Sequence, residues 1–278
     1  MVVKRERKSK FVKLFDKTPP EVFCPHFYEL ILSNGCPYNC DYCYLRLTFR
    51  GKTEPNVFEN NWNSIEDELK NIKQGVFSTG ELADSLAVVP TLLPDALDYF
   101  SKETNKVLLL VTKSTNVNIL RQRTPSNQII LSFSLNSVPV AKALEKEAPN
   151  PILRIQTAEE MIRTGWRVRI RLDPIVIGNG FNFNDYEYIC KRTASIKPER
   201  VTIGTLRQYP TLHNFAPNAP RIGMTRADDG RLRYSINQRV KAYKQIAAWL
   251  GLQPALCKET KEIWDLLNWR FLGCNCTE

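Results

Sequence analysis

The sequence predicts an α/β protein built on a parallel sheet, and three observations carry that prediction. Short β-branched runs alternate with segments of helical spacing through most of the 278 residues. The strand candidates are apolar with little alternation, as Val107-Leu108-Leu109-Leu110-Val111 is, which suits strands buried on both faces. Past Leu206 the alternation gives way to Pro/Asn-rich chain, so a separate extension is expected there.

In chain order, strands are expected at Phe27–Leu32, Val76–Thr79, Val107–Thr112, Ile129–Leu135, Val168–Asp173 and Val201–Thr205. Helical patterns fall at Ile65–Ile72, Asp95–Lys102, Asn116–Arg121, Ile155–Thr164 and Asp185–Thr193. Such βαβ units give an α/β barrel or an open parallel sheet, two strands short of an eight-fold barrel. The extension reads as a hairpin around Asp229-Gly230, a helix over Ile236–Leu250, a helical stretch at Glu259–Asn268 and a cysteine-containing tail. The expected division is a basic arm and lead-in over 1–26, the barrel over 27–206 and the extension over 207–278.

The composition, 43% hydrophobic and 24% charged, is that of a globular protein rather than a disordered one. No apolar run approaches the roughly 18 residues of a membrane span. The N-terminal MVVKRERKSK lacks the apolar segment of a signal peptide, so a cytoplasmic location is expected, with no membrane partner. Eight cysteines then read poorly as a disulfide framework, and metal or cluster ligation explains them better. The net charge is +10. Six Lys/Arg crowd Lys4–Lys13, and eight more lie between Arg200 and Lys241. Fields of this sign attract polyanions, nucleic acid above all, although a solvated basic surface is the plainer explanation.

The strongest local signal is Cys36-Pro-Tyr-Asn-Cys40-Asp-Tyr-Cys43-Tyr44, directly after the first strand. Three thiolates at spacings of four and three fit one tight loop and can hold three corners of a 4Fe–4S cube, leaving the fourth iron open. A zinc knuckle, by contrast, draws cysteines in pairs from two loops.

This spacing, followed by an aromatic residue, resembles the radical S-adenosylmethionine (radical SAM) superfamily, whose fold is a partial (β/α)6 barrel. Ser78-Thr79-Gly80-Glu81 after the second strand resembles the motif that holds the SAM ammonium group. Val111-Thr112-Lys113 and Phe133-Ser134-Leu135-Asn136, at the ends of the third and fourth strands, resemble the spore photoproduct lyase branch. The resemblance implies reductive cleavage of SAM to a 5′-deoxyadenosyl radical, and an electron donor such as flavodoxin or ferredoxin. It implies that Lys113 and Ser134 bind the SAM carboxylate, that Asn136 faces the ribose, and that Tyr42 and Tyr44 relay the radical or touch substrate. Either tyrosine could equally pack over the cluster. All these groups lie at carboxyl ends of strands, where parallel α/β folds bind ligands.

The pattern breaks at one position. That branch returns a hydrogen atom from a cysteine after the second strand, and Leu82 stands there in this sequence. Dimer reversal with a non-cysteine donor, such as Tyr44, therefore competes with an isomerase-like modification or rearrangement of a DNA base, plausibly thymine or a hypermodified thymine. The rearrangement is the leading expectation. A peptide or small-molecule substrate would also suit such an enzyme, and a non-catalytic iron–sulfur protein that binds nucleic acid would share the cysteine loop and the charge.

Cys257, Cys274 and Cys276 form a C-terminal group expected to bind a second iron–sulfur cluster or zinc, with Cys24 a possible fourth ligand. Cys190 is expected in the core. The hairpin Asp229-Gly230-Arg231-Leu232-Arg233-Tyr234 resembles a DNA-binding hairpin of the lyase, which makes Arg231, Arg233 and Tyr234 the candidate DNA contacts.

Overall fold

The computed structural model describes residues 2–16 and 18–278. All six expected strands form, at Phe27–Leu30, Gly75–Ser78, Lys106–Thr112, Ile129–Ser134, Arg167–Ile175 and Arg200–Thr205. They pair in sequence order, each parallel to the next, and the sheet curls into a partial barrel. Two further strands extend its edges. Val12–Phe15 runs antiparallel to the first barrel strand, and Ala255–Leu256 runs parallel to the sixth.

The described part of the lead-in is tied to the rest of the chain. Val3–Arg5 pairs with Asn56–Phe58, Lys4 meets Glu59 at 2.6 Å, and the Arg7 guanidinium lies over the Phe58 ring. The 207–278 region likewise contributes an edge strand to the barrel sheet, so the two parts share one sheet.

The outer face of the sheet packs on helices through Phe77, Leu108, Leu110, Leu131, Phe133, Ile170 and Leu172, all fully buried. The helices run Trp62–Lys70, Leu93–Phe100, Asn118–Arg121, Pro151–Arg163 and Tyr186–Ser195. Asn150 caps the fourth by accepting from the Ile152 amide, which starts it before the expected Ile155. Sequence reasoning missed the helix Val138–Leu144, which is too short to show a period.

The inner face is mixed, and the fifth strand shows why. In Arg167-Val168-Arg169-Ile170-Arg171-Leu172-Asp173 charged and apolar residues alternate strictly, so one face packs outward while three arginines and an aspartate turn inward. The expectation of strands apolar on both faces fails here. The tail answers this polar lining. Asn275 is fully buried, donates to Ser132 Oγ (2.8 Å) and the Ile170 carbonyl (3.1 Å), and accepts from Thr202 Oγ1 (2.7 Å). Arg169 donates to the carbonyl oxygens of Cys274 and Asn275. Cys274 and Cys276 are thereby held among the inward-facing Val76, Val107, Leu109 and Ile130.

In the extension, Met224–Arg226 and Leu232–Tyr234 form the expected hairpin, and Arg207–Gln208 adds a third strand. The helix Ile236–Leu250 forms at its expected bounds, opened by a Ser235/Gln238 capping box and closed by Gly251 at φ +68°. Among the described residues no helix is long and apolar enough to cross a membrane.

Candidate active site

The cysteine loop follows the first strand and is tied down from three sides. The Gly35 amide donates to the Leu82 carbonyl (2.9 Å), the Asp41 amide to the Leu144 carbonyl (2.9 Å), and the Arg46 guanidinium to the Phe215 carbonyl (2.7 and 3.0 Å). Cys36, Cys40 and Cys43 are free thiols that line one cavity at the carboxyl ends of the barrel strands. Burial pushes all three thiols up, Cys36 to about 12, while Lys113 pulls each back toward the thiolate that iron requires.

Gly80, Glu81, Lys113 and Ser134 line the same cavity. Gly80 is there for want of a side chain, since a Cβ would stand 2.4 Å from Val111 Cβ. The backbone after the second strand can thus lie flat against the third. Asp84 fixes that juncture. Its carboxylate accepts from Thr112 Oγ1 (2.6 Å), the Lys113 amide (2.6 Å) and the Leu86 and Ala87 amides (3.0 and 2.9 Å). Ser85 Oγ accepts from the Val111 amide at 2.9 Å. Asp84 and Thr112 line the cavity as well, and with Ser85 they set where Gly80 and Lys113 stand.

Among the described residues no three Cys, His, Asp or Glu side chains converge on a single metal ion. For the loop this is no conflict, because a cube takes one thiolate per iron at separate corners. The residues present fit a 4Fe–4S cluster with SAM beside it: three thiols on one short loop, a glycine cradle, an ammonium at Lys113 and a hydroxyl at Ser134.

Three expectations need correction. Asn136 does not face a ribose. It is fully buried, accepts from Tyr186 Oη (2.6 Å) and donates to Glu145 (3.1 Å) and the Pro174 carbonyl (3.3 Å). Tyr42 is buried and its hydroxyl donates to Glu145, so its phenol holds the loop rather than standing free for a radical. Arg233 and Tyr234 do not meet DNA at a surface. Arg233, 2% exposed, donates to Asp229 (2.6 and 3.0 Å) and the Lys258 carbonyl (3.0 Å), and Tyr234, 1% exposed, accepts from the Ile177 amide (3.0 Å).

Part of the basic field is also consumed internally. Arg207 pairs with Asp173 through two contacts of 3.0 Å, Arg239 meets Glu259 at 2.6 Å, and Arg200 donates to the Cys274 carbonyl at 2.7 Å. Burial pushes the Asp173 carboxyl up, but Arg207 and Arg171 outweigh it and hold it below its usual range.

Tyr44 and Arg231 remain available. The Tyr44 side chain is half-exposed, its hydroxyl donates to the Glu81 carbonyl, and it lines both the first cavity and a second one beside it. Leu82, Lys113, Arg207, Tyr209 and Arg231 line that second cavity. The Arg231 guanidinium lies 5.1 Å from the centre of the Tyr209 ring. Tyr209 escaped the sequence reading because its partner is 22 residues away. Cys190 is fully buried among apolar neighbours, as expected.

Similarity to known proteins follows the same site. The curated spore photoproduct lyase of Clostridium acetobutylicum is 24% identical over 177 residues, 60% of this chain and 52% of that protein. That of Bacillus subtilis is 23% identical over 194 residues, 67% of this chain and 55% of that protein. The chain thus spans about half the length of these two relatives. Among solved structures, a spore photoproduct lyase complexed with dinucleoside spore photoproduct superposes with a TM-score of 0.71 at 17% identity, covering 92% of this chain and 81% of that one. SuiB of Streptococcus suis, bound to its precursor peptide SuiA, gives 0.55 at 14% identity over 84% of this chain and 48% of that one. Such identities speak for a shared fold alone. The sequence model described as spore photoproduct lyase does more, since it matches residues 14–248, through the cysteine loop, all six barrel strands and most of the long C-terminal helix. On that match the chain belongs to the spore photoproduct lyase family, a radical SAM branch.

Proposed function

We propose that this chain is a radical SAM enzyme acting on a thymine lesion of the spore photoproduct type in DNA. Cys36, Cys40 and Cys43 would hold the 4Fe–4S cluster, and Gly80, Glu81, Lys113 and Ser134 would hold SAM. The observation that carries the reading is the pair of adjoining cavities. One is lined by the three thiols and the SAM residues, and the second shares Tyr44, Glu81, Lys113 and Arg207 with it. A cofactor and a substrate can therefore meet across a common wall. A solved variant of spore photoproduct lyase carries AdoMet and dinucleoside spore photoproduct together, which agrees with two such sites.

Bound beside these residues, a reduced 4Fe–4S cluster and SAM would supply the 5′-deoxyadenosyl radical chemistry of the family. The chain's own residues do the remaining work. Lys113 gives a charge-assisted hydrogen bond to a carboxylate, and Ser134 a hydroxyl. At the second cavity, Tyr209 offers a face for an unstacked base and Arg231 a cation for phosphate. Leu82 cannot return a hydrogen atom to a carbon radical. Tyr44, which lines both cavities and whose hydroxyl donates to the Glu81 carbonyl, would be the donor in this reading. Its phenoxyl would return to the phenol by one further electron from the same donor protein and a proton from solvent. Flavodoxin or ferredoxin would supply the electron.

Rearrangement of a thymine base with its hydrogen recovered from 5′-deoxyadenosine is the leading expectation from the sequence. It gives way to repair because the family model and the solved neighbour at TM-score 0.71 are spore photoproduct lyases. The absent thiol at Leu82 is what keeps it as a second reading. One experiment separates the two. The anaerobically reconstituted enzyme is given SAM, dithionite and dinucleoside spore photoproduct, and its products are analysed by mass spectrometry. Repaired dinucleotide with 5′-deoxyadenosine supports the first reading. An isomeric base product from undamaged DNA supports the second. Neither repaired dinucleotide nor an isomeric base product from fully loaded enzyme with either substrate rejects both, since the second reading returns 5′-deoxyadenosine to SAM and need not accumulate it.

A further inference from the structure

The barrel interior contains a second group of thiols that SAM chemistry at the loop does not use. Cys24 lies just before the first barrel strand, Cys257 just after the edge strand Ala255–Leu256, and Cys274 and Cys276 on the tail that enters the barrel. All four are free and line the first cavity. They come from three chain segments, the first and last more than 200 residues apart, and the fold spends specific contacts to gather them. Asn275 anchors the tail through side-chain hydrogen bonds to the fourth, fifth and sixth barrel strands, which leaves the cysteines on either side of it facing inward.

Cys24, Cys274 and Cys276 border an apolar cluster with Val76, Val107, Leu109 and Ile130. Two of the four thiols also have cationic partners, unlike Cys190, which is fully buried in the main apolar core. Cys257 Sγ accepts from Arg207 Nη2 at 3.2 Å and from Arg171 Nη1 at 3.6 Å, and Cys276 Sγ accepts from Arg171 Nη2 at 3.2 Å. Arg171 Nε is buried and donates to nothing. Two guanidinium groups thus face sulfur inside the barrel, and Asp173 pairs with both.

This favours thiolates that carry a metal centre of net negative charge. Four thiolates on a cluster leave such a charge, and N–H donors to the sulfurs are a principal means of tuning it. Among the described residues the thiols do not close on one ion, an arrangement compatible with a centre that takes its ligands on separate irons.

We propose that Cys24, Cys257, Cys274 and Cys276 ligate a second iron–sulfur cluster inside the barrel, with Arg171 and Arg207 donating to its ligand sulfurs. The test uses the full chain with Cys36, Cys40 and Cys43 all replaced by alanine, reconstituted anaerobically with iron and sulfide. The expected result is about two to four irons with matching sulfide per chain, a visible charge-transfer band and an electron paramagnetic resonance signal on reduction. Failure to retain iron, or retention of zinc in its place, overturns the proposal. The reciprocal variant, Cys274→Ser with Cys276→Ser and the loop intact, should lose the second cluster's iron while keeping the first. Iron content equal to wild type would overturn the proposal equally. Both readouts are independent of SAM cleavage, so they stand or fall apart from the proposed activity.

Discussion

Glu145 offers the sharpest test of how the cysteine loop is held. Its carboxylate is fully buried and lies 2.6 Å from Arg154 Nη2, also fully buried, in an ionic contact too poorly aligned for a hydrogen bond. It accepts from Tyr42 of the loop and from Asn136 at 3.1 Å. Burial pushes this carboxyl up, but Arg154 and Lys113 outweigh burial and hold it below the usual carboxylate range. Glu145→Gln keeps the volume and removes the charge. The Arg154 guanidinium then keeps only the Pro149 carbonyl (2.6 Å) and the Ser134 carbonyl (3.1 Å) as partners. Stranding one half of a buried ion pair costs about 3–5 kcal/mol, far above the ~0.5 kcal/mol expected of an exposed glutamate.

Urea unfolding of the two proteins, with equal m-values checked, measures the difference. Arg154→Met added to Glu145→Gln removes the stranded charge and should recover about 2 kcal/mol. Recovery should stay incomplete, because Tyr42 and Asn136 still lose a charged acceptor. The sign with pH follows from the depressed carboxyl. Its contribution is complete above the ordinary glutamate pKa and disappears as pH falls through the lower folded value. A loss below about 1 kcal/mol for Glu145→Gln would refute the claim that this ion pair anchors the loop.

Four further outcomes are expected. Lys113→Met should weaken SAM binding about tenfold or more, the equivalent of one charge-assisted hydrogen bond, as read by equilibrium dialysis. Arg231→Ala should reduce the salt dependence of duplex-DNA binding by about one counterion, whereas Arg233→Ala should lower the melting temperature and leave that slope unchanged. Glu199 is pushed up by burial, but Arg167 and Arg169 hold it down at about 2. Its stabilisation is therefore present above the ordinary glutamate pKa and lost as pH falls from about 4 towards 2, and Glu199→Gln should flatten that part of the acid-unfolding curve. Leu82→Cys should place an exchangeable S–H in the second cavity and raise deuterium incorporation into product in D2O, and unchanged labelling would place Leu82 away from the substrate radical.

What the sequence made legible and what it hid divide along a physical line. The six strands, the helix Ile236–Leu250 and the cysteine loop each announce themselves within a few residues, through period, capping or ligand spacing. Residues whose role depends on a distant partner do not. Arg233 and Arg231 look alike in a basic hairpin, yet Arg233 turns inward to Asp229 while Arg231, just before the strand begins, reaches Tyr209. The alternation in Arg167-Val168-Arg169-Ile170-Arg171 is visible in the sequence and carries more than any count of basic residues could. Three arginines on the inner face of one strand require partners inside the barrel. Arg169 finds them in tail carbonyls and Glu199, and Arg171 finds Cys257, Cys276 and Asp173. A positive net charge therefore says little about nucleic acid until the arginines facing inward have been subtracted. In this chain they point instead to the sulfur inside the barrel.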